Sequence, residues 1–310
     1  MKRLLVVNAD DFGYSDERDA GIVECYRKGH ISSVSLLVNG VRAENAAKLA
    51  KQYNIATGLH VNLTEGHTIG QGYRTLTRNG CLLGKFGFRE AVKEGKLDII
   101  EVRREIQAQI DKFRDLMGET PYHADGHQHI HVIPGIVETF AAVLSENGVK
   151  VTRLPNERGV ASEVWATPQK AEFMTELVHQ TEAASKVFTS HKLWTCDGFV
   201  GLRTMGSNMT VDRVTSHLSE VFDVTGSSDS DKQKLIAACS QEKVLSCEWM
   251  VHPGHVTSGE GGCGEGPDEF SQSLDRQHEM DILSDKAILD IYKCMNIKLT
   301  NFQNCVNRIK

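Results

Sequence analysis

The chain alternates short, wholly apolar runs with segments of helical period, and no other feature restricts its fold as much. Leu4–Val7 is such a run, continuous rather than alternating, as expected of a strand covered on both faces. Ser15 then caps a helix whose first turn holds Asp16, Glu17 and Asp19, where the helix dipole favours acids. Ile22, Val23 and Tyr26 keep helical spacing, and Gly29 stops the helix. Further strands are expected at Val34–Val38, within Ile55–Asn62 (ending at His60), and at His123–Gly126, Val149–Leu154, Phe199–Leu202, Leu245–Val251 and Ile297–Thr300. Helices are expected over Ala43–Tyr53, Val102–Met117, Pro134–Asn147, 168–185, Val211–Val224 and 268–295. Residues 63–90 are Gly- and Thr-rich with no clear element and read as a functional loop, and 226–232 as a solvated one. Repeated βα units imply an α/β fold with a parallel sheet and right-handed crossovers. Roughly seven or eight units in a chain of this length fit either a closed (β/α) barrel or an open doubly wound sheet. No linker-like stretch interrupts residues 1–310, so a single domain is expected.

Composition excludes several classes of function. Hydrophobic residues make up 40% and charged residues 25%, ordinary for a globular protein with a sizeable core. The net charge is −6 and no basic block could track a phosphate backbone, so nucleic acid is not an expected partner. Lys2 and Arg3 precede an apolar run as in a secretion signal, but Leu4–Val7 falls short of the roughly 7–15 residues required. No stretch approaches the ~20 apolar residues of a membrane span, so no membrane partner is expected. Eight scattered cysteines without a CxxC pair read as reduced, mostly buried thiols of a cytoplasmic protein.

The chemistry-bearing residues gather at strand ends. Asp10 and Asp11 follow the first strand, His60 ends the third, Asp125-Gly126-His127 follows the fourth, and His252 follows Leu245–Val251. In both candidate architectures the C-terminal strand ends form one functional rim. Two neutral imidazoles and a carboxylate hold a divalent ion while leaving positions open. A second carboxylate can take a proton from water, and another histidine can protonate a leaving nitrogen. The pattern therefore points to a mononuclear metal hydrolase acting on an amide.

Each piece also has a plainer reading. Asp10 and Asp11 could be turn or cap residues, His60 a satisfied core histidine, and Asp125 a turn former rather than the orienter of an imidazole. His127–His131 reads as a polar strand or, given Pro134, a loop, with His129 and His131 in support of His127. Arg153 ends the fifth strand, to orient Asp10, bind substrate or form a structural ion pair. Gly259, Gly261 and Gly264 match G-x-G-x-x-G but lie far beyond a strand and before Pro267, so they read as a mobile rim loop rather than a dinucleotide site. There is no phosphate-binding P-loop pattern and no G-x-S-x-G elbow. Trp165, Trp194 and Trp249 default to the core.

The blocks VNADDFGYS, SVSLLVNG, TGLHVNLTEG, HADGHQHIHVIPG, TRLPNERG and MVHPGH occur in this order, with CDGFVGL and GGCGEGPDEFS as in animal members. Together they strongly resemble the YdjC-like carbohydrate deacetylases over nearly the whole chain. The resemblance implies a (β/α) barrel of the glycoside hydrolase/deacetylase superfamily type and removal of acetyl groups from N-acetylated sugars such as chitooligosaccharides. It also implies a divalent metal, usually magnesium, although two imidazoles suit zinc or cobalt better. Carried over by motif, the metal set falls on Asp11, His60 and His127, the base on Asp10 and the acid on His252. The chain departs from animal relatives at His255, where they often have Tyr, and from bacterial ones at Gln128. An N-acetylated sugar is the expected partner, and a homodimer is compatible with the sequence. The rival readings are a metal-independent glycoside hydrolase, whose carboxylates should stand ~5–9.5 Å apart, and a silent sugar-binding or interaction protein.

Overall fold

One long parallel strand organises the molecule. In the computed structural model, which describes residues 2–157, 159–160, 167–222 and 244–309, β1 runs Lys2–Phe12 and is buried from Leu4 onward. It pairs in parallel with β9 (Val244–Val251) along one side. Along the other side it pairs with β10 (Ile297–Leu299) at its start and β2 (Ser33–Leu36) at its end. The sheet continues through β3 (Thr57–Val61), β6 (His123–Gly126) and β7 (Val151–Thr152), while β8 (Gly198–Val200) lies outside β9. Every pairing in this eight-stranded sheet is parallel. Trp194, just before β8, bridges back to Val151 of β7, with Thr152 N–H donating to the Trp194 carbonyl at 3.0 Å. That bridge closes the curl and decides for the barrel over the open sheet.

Helices α1 (Asp16–Arg27) and α2 (Ala43–Tyr53) follow β1 and β2. Ser15 Oγ accepts the Arg18 N–H and caps α1 as the sequence indicates, and Gly118 in the left-handed region ends α4 (Ile99–Met117). The 63–90 stretch holds more structure than expected, a small hairpin of β4 (Thr77–Arg78) and β5 (Cys81–Leu82) and the helix α3 (Gly84–Lys93). Further on come α5 (Val137–Glu146), which starts three residues beyond Pro134, then α6 (Pro168–Ser190) and α7 (Val211–Phe222). The tail forms α8 (Glu269–Gln272), α9 (Asp275–Leu283), α10 (Lys286–Cys294) and α11 (Phe302–Ile309), the last unforeseen in the sequence. Asp223, Val224, residues 226–232, Trp165 and Cys239 lie outside the described residues. Trp249 is core, and the described cysteines are all unpaired. No helix among the described residues is long and apolar enough to cross a membrane.

Candidate active site

Asp10 and Asp11 belong to the last residues of β1 rather than to the loop after it. Successive strand residues point to opposite faces, which would separate the two carboxylates. Asp11, however, has φ +63°, and the β1–β2 register slips between Ala9 and Phe12. This bulge turns both side chains to one spot, leaving Asp10 Oδ2 3.8 Å and Asp11 Oδ1 3.4 Å from His60 Nε2. A non-glycine residue in this region is strained, and such strain concentrates at functional sites.

His127 arrives from the turn after β6. Residues His127–Val132 form neither a strand nor a plain loop but short 3₁₀ turns broken by positive φ at Gln128 and His129. His127 Nδ1 lies 3.1 Å from Asp11 Oδ1 and 3.3 Å from His60 Nε2. With the 3.4 Å edge between His60 and Asp11, three donor atoms form a nearly equilateral triangle. Donors about 2.0–2.1 Å from one ion stand about 3 Å apart, so the spacing fits a shared coordination shell. Asp11 Oδ1 is buried without a hydrogen-bond donor, and its Oδ2 accepts from Arg18 Nη1 at 2.8 Å.

Each imidazole has a carboxylate at its other nitrogen. Asp125 Oδ1 is 2.5 Å from His60 Nδ1, and Glu65 Oε2 is 3.2 Å from His127 Nε2. Such partners fix ring orientation and ligand tautomer. Asp125 is thereby an orienter of His60 as well as a β6 residue. Burial alone would depress both imidazoles, yet the surrounding carboxylates raise His60 to about 9 and His127 to about 10. Burial likewise pushes Asp11 up, but His127, His60 and Arg18 hold it well below the usual carboxylate range. The centre is a place where positive charge is strongly favoured, and its residues fit a divalent cation.

Arg153 organises the floor. It is 2% exposed, and Nη1 and Nη2 donate to the two oxygens of Asp10 at 2.6 Å each. Its Nη2 also lies 2.9 Å from Asp125 Oδ2, and Nε donates to Glu248 Oε1 at 2.7 Å. Asn8 Nδ2 donates to Asp10 Oδ1 at 2.8 Å and to Ser35 Oγ at 2.9 Å, and Ser35 Oγ donates to Asp125 at 2.9 Å. Of the three roles open to Arg153, its geometry displays two, holding Asp10 and pairing with the buried Asp125 and Glu248. His131 supports it, its Nε2 lying 3.1 Å from the Arg153 carbonyl.

His252, at the end of β9, places Nε2 4.0 Å from Asp10 Oδ2. Burial and then the Arg276 charge push it down to about 3, so the free imidazole is neutral at neutral pH. All five expected residues line one cavity of 280 Å³, with Phe173, Met205 and Phe270 on its walls. His129 also lines it. The glycine-rich 259–264 segment is tied down, with Val41 N–H donating to the Gly262 carbonyl and His67 N–H to that of Cys263. Sequence reasoning missed Arg18, Glu65 and Glu248. A single acid inside the apolar β9 run was the available signal for Glu248, but nothing local distinguishes Glu65 in its polar loop.

The model of the YdjC-like protein family matches residues 4–293. The chain belongs to the YdjC-like family. This YdjC-like chain is 45% identical over 285 residues to a human protein named carbohydrate deacetylase, covering 90% of this chain and 84% of the relative. It is 42% identical over 310 residues to a zebrafish protein of the same name, covering 97% of each. A Serratia marcescens chitooligosaccharide deacetylase is 41% identical over 145 residues, 46% of this chain and 56% of that one. Among solved structures, a cellobiose-phosphate cleavage protein of Enterococcus faecalis superposes on this YdjC-like fold with a TM-score of 0.70 at 18% identity, covering 98% of this chain and 99% of that one.

Proposed function

We propose that the protein is a single-domain, cytoplasmic, metal-dependent hydrolase that removes acetyl groups from N-acetylated carbohydrates, chitooligosaccharides being the model substrate. The observation that carries this is the donor triangle of Asp11, His60 and His127 beside a carboxylate, Asp10, held by a guanidinium. The names of the animal relatives, which match nearly end to end, support the same class of reaction.

Asp11 Oδ1, His60 Nε2 and His127 Nδ1 would hold the ion. The chemistry a divalent cation would supply there is a lowered pKa for water and polarisation of an acetamide oxygen. The family is associated with magnesium, but two imidazoles favour zinc or cobalt, and metal analysis of protein purified without added ions decides between them. Asp10 takes the water's proton as the oxygen attacks the acetyl carbon, and Arg153 with Asn8 keeps its carboxylate aimed. The carbon–nitrogen bond then breaks as His252 delivers a proton to the departing amine. A neutral His252 must first acquire that proton, and Asp10, 4.0 Å away, would pass on the one it collected once the two close to hydrogen-bond distance. An imidazolium whose pKa has been pushed down gives up its proton readily.

The test is free acetate released from diverse N-acetylated saccharides under several divalent ions. Asp10→Asn should still bind the ion yet lose acetate release by about 10²–10⁴-fold. Near-normal turnover in that variant excludes Asp10 as the base, and a shortened sugar as product would favour the glycoside hydrolase instead.

A further inference from the structure

The backbone of His252 emerges from β9 where the ladder ends, and Pro253 behind it has no N–H. A buried N–H at such a point needs a partner from elsewhere. Glu279 of α9, itself fully buried, supplies it: Oε2 accepts the His252 N–H at 2.5 Å. Its Oε1 accepts the Gly206 N–H at 2.8 Å. Gly206 adjoins Met205, a wall of the cavity. One carboxylate therefore ties the strand end that carries His252 to the loop that encloses the cavity.

The same helix also reaches the ring. Arg276, one turn earlier, lies over the face of Phe270, 3.3 Å from its centroid, with Nη2 3.2 Å from Glu279 Oε1. Phe270 meets the His252 imidazole edge to face, the centroids 5.5 Å apart at 83°. His252 is thus gripped at its main chain by Glu279 and at its ring by Phe270, which Arg276 backs. A ring free to swing would spend little time aimed at a leaving nitrogen, because proton transfer requires hydrogen-bond distance.

We infer that Glu279 and Arg276 are positioning residues that hold His252 in the orientation for proton delivery. This rests on the reading of His252 as the acid. The experiment compares His252→Ala, Glu279→Gln, Arg276→Met and Arg276→Lys on two substrates. Diacetylchitobiose loses an amine that must be protonated, whereas p-nitrophenyl acetate loses a phenolate that leaves unaided. His252→Ala should lose about 10²-fold or more on the amide and keep most of the ester rate. Glu279→Gln and Arg276→Met should lower kcat on the amide by about tenfold or more, with KM and the ester rate nearly unchanged. Arg276→Lys, which keeps a cation beside Glu279 and over Phe270, should recover part of the amide rate.

Equal losses on both substrates, a change confined to KM, or full amide activity in Glu279→Gln would overturn the positioning role while leaving the acid assignment intact. Equal losses on both substrates in His252→Ala would remove the acid assignment and this inference with it. Glu279→Gln preserves side-chain size. Should it fail to fold, the contrast between Arg276→Met and Arg276→Lys carries the same decision.

Discussion

Arg153 is one cation among three buried carboxylates, and its removal would test whether a single residue holds both a fold and a reaction. Arg153→Met would strand Asp10, Asp125 and Glu248 without their common partner. Breaking a buried ion pair from one side costs about 3–5 kcal/mol, because an uncompensated charge remains. Urea unfolding should register that loss. Arg153→Lys keeps the charge but lacks the planar fork that bonds both oxygens of Asp10. It should therefore lose more in acetate release than in stability, and an equal decline in both would argue that Arg153 serves the fold alone. Glu157 offers a cleaner electrostatic case away from the cation centre. Burial pushes it from 4.5 up to about 7, against three N–H bonds from Gly201, Leu202 and Arg203 that all end on Oε2. A carboxyl raised in the folded state adds stability that is fully present below pH 4.5 and fades as pH climbs through 7, about 3 kcal/mol in all. Urea midpoints should fall between pH 5 and pH 8. Glu157→Gln, whose amide group would stand where Oε1 has no partner, should make that dependence shallower, leaving the share of Glu248, which burial also raises to about 7. A wild-type slope that survives in the variant would place the titration elsewhere.

At the scale of elements, most strands and helices were legible because a single face or a full burial pattern determined them. Ala43–Tyr53 has the sequence-derived bounds, its Ala46, Ala47 and Ala50 stripe facing the core. The elements that resisted were those set by contacts from distant segments. β7 shrinks to two residues because its partners supply only a short ladder, and α3 hides behind Gly84 and Gly87 with only Phe88 buried. The bulge at Asp11 was illegible for another reason, since an aspartate with positive φ looks in sequence like any other aspartate. Packing between β3 and β6 yields a prediction of its own. A Cβ on Gly58 would stand 2.2 Å from His123 Nε2, inside the ring's contact distance, so the glycine makes room for the imidazole on the neighbouring strand. Gly58→Ala should destabilise by about 1–3 kcal/mol, the usual cost of overpacking. In a double-mutant cycle with His123→Ala the two changes should partly offset each other, because the small side chain clears the clash. Strictly additive losses would show that the glycine is needed for something other than that ring.

For the molecule as a whole, the order of strands and helices left barrel and open sheet equally satisfied and only the resemblance carried by the motif blocks pointed to the barrel, because closure depends on the bridge between Trp194 and Val151, which no local pattern encodes. The site was more legible than the fold that builds it. Reactive residue types at strand ends could be read directly, while the 3.1–3.4 Å spacing of the donors exists only once β1, β3 and the turn after β6 are brought together. That dependence runs in both directions. Three segments distant in sequence would share one ion, so binding it should stabilise their arrangement, and an ion that binds only the folded chain adds about 2.7 kcal/mol at a hundredfold excess over its Kd. Thermal unfolding of metal-stripped protein should shift upward as zinc or cobalt is added and return on chelation. Asp11→Asn tests the assignment without demanding a new backbone, since asparagine tolerates the left-handed conformation. Its midpoint without metal should drop, because Arg18 loses a charged partner, but the ion-dependent rise above that new baseline should vanish. A rise of the same size in Asp11→Asn would mean that the ion binds elsewhere, and the triangle of Asp11, His60 and His127 would have to be given up as the cation centre.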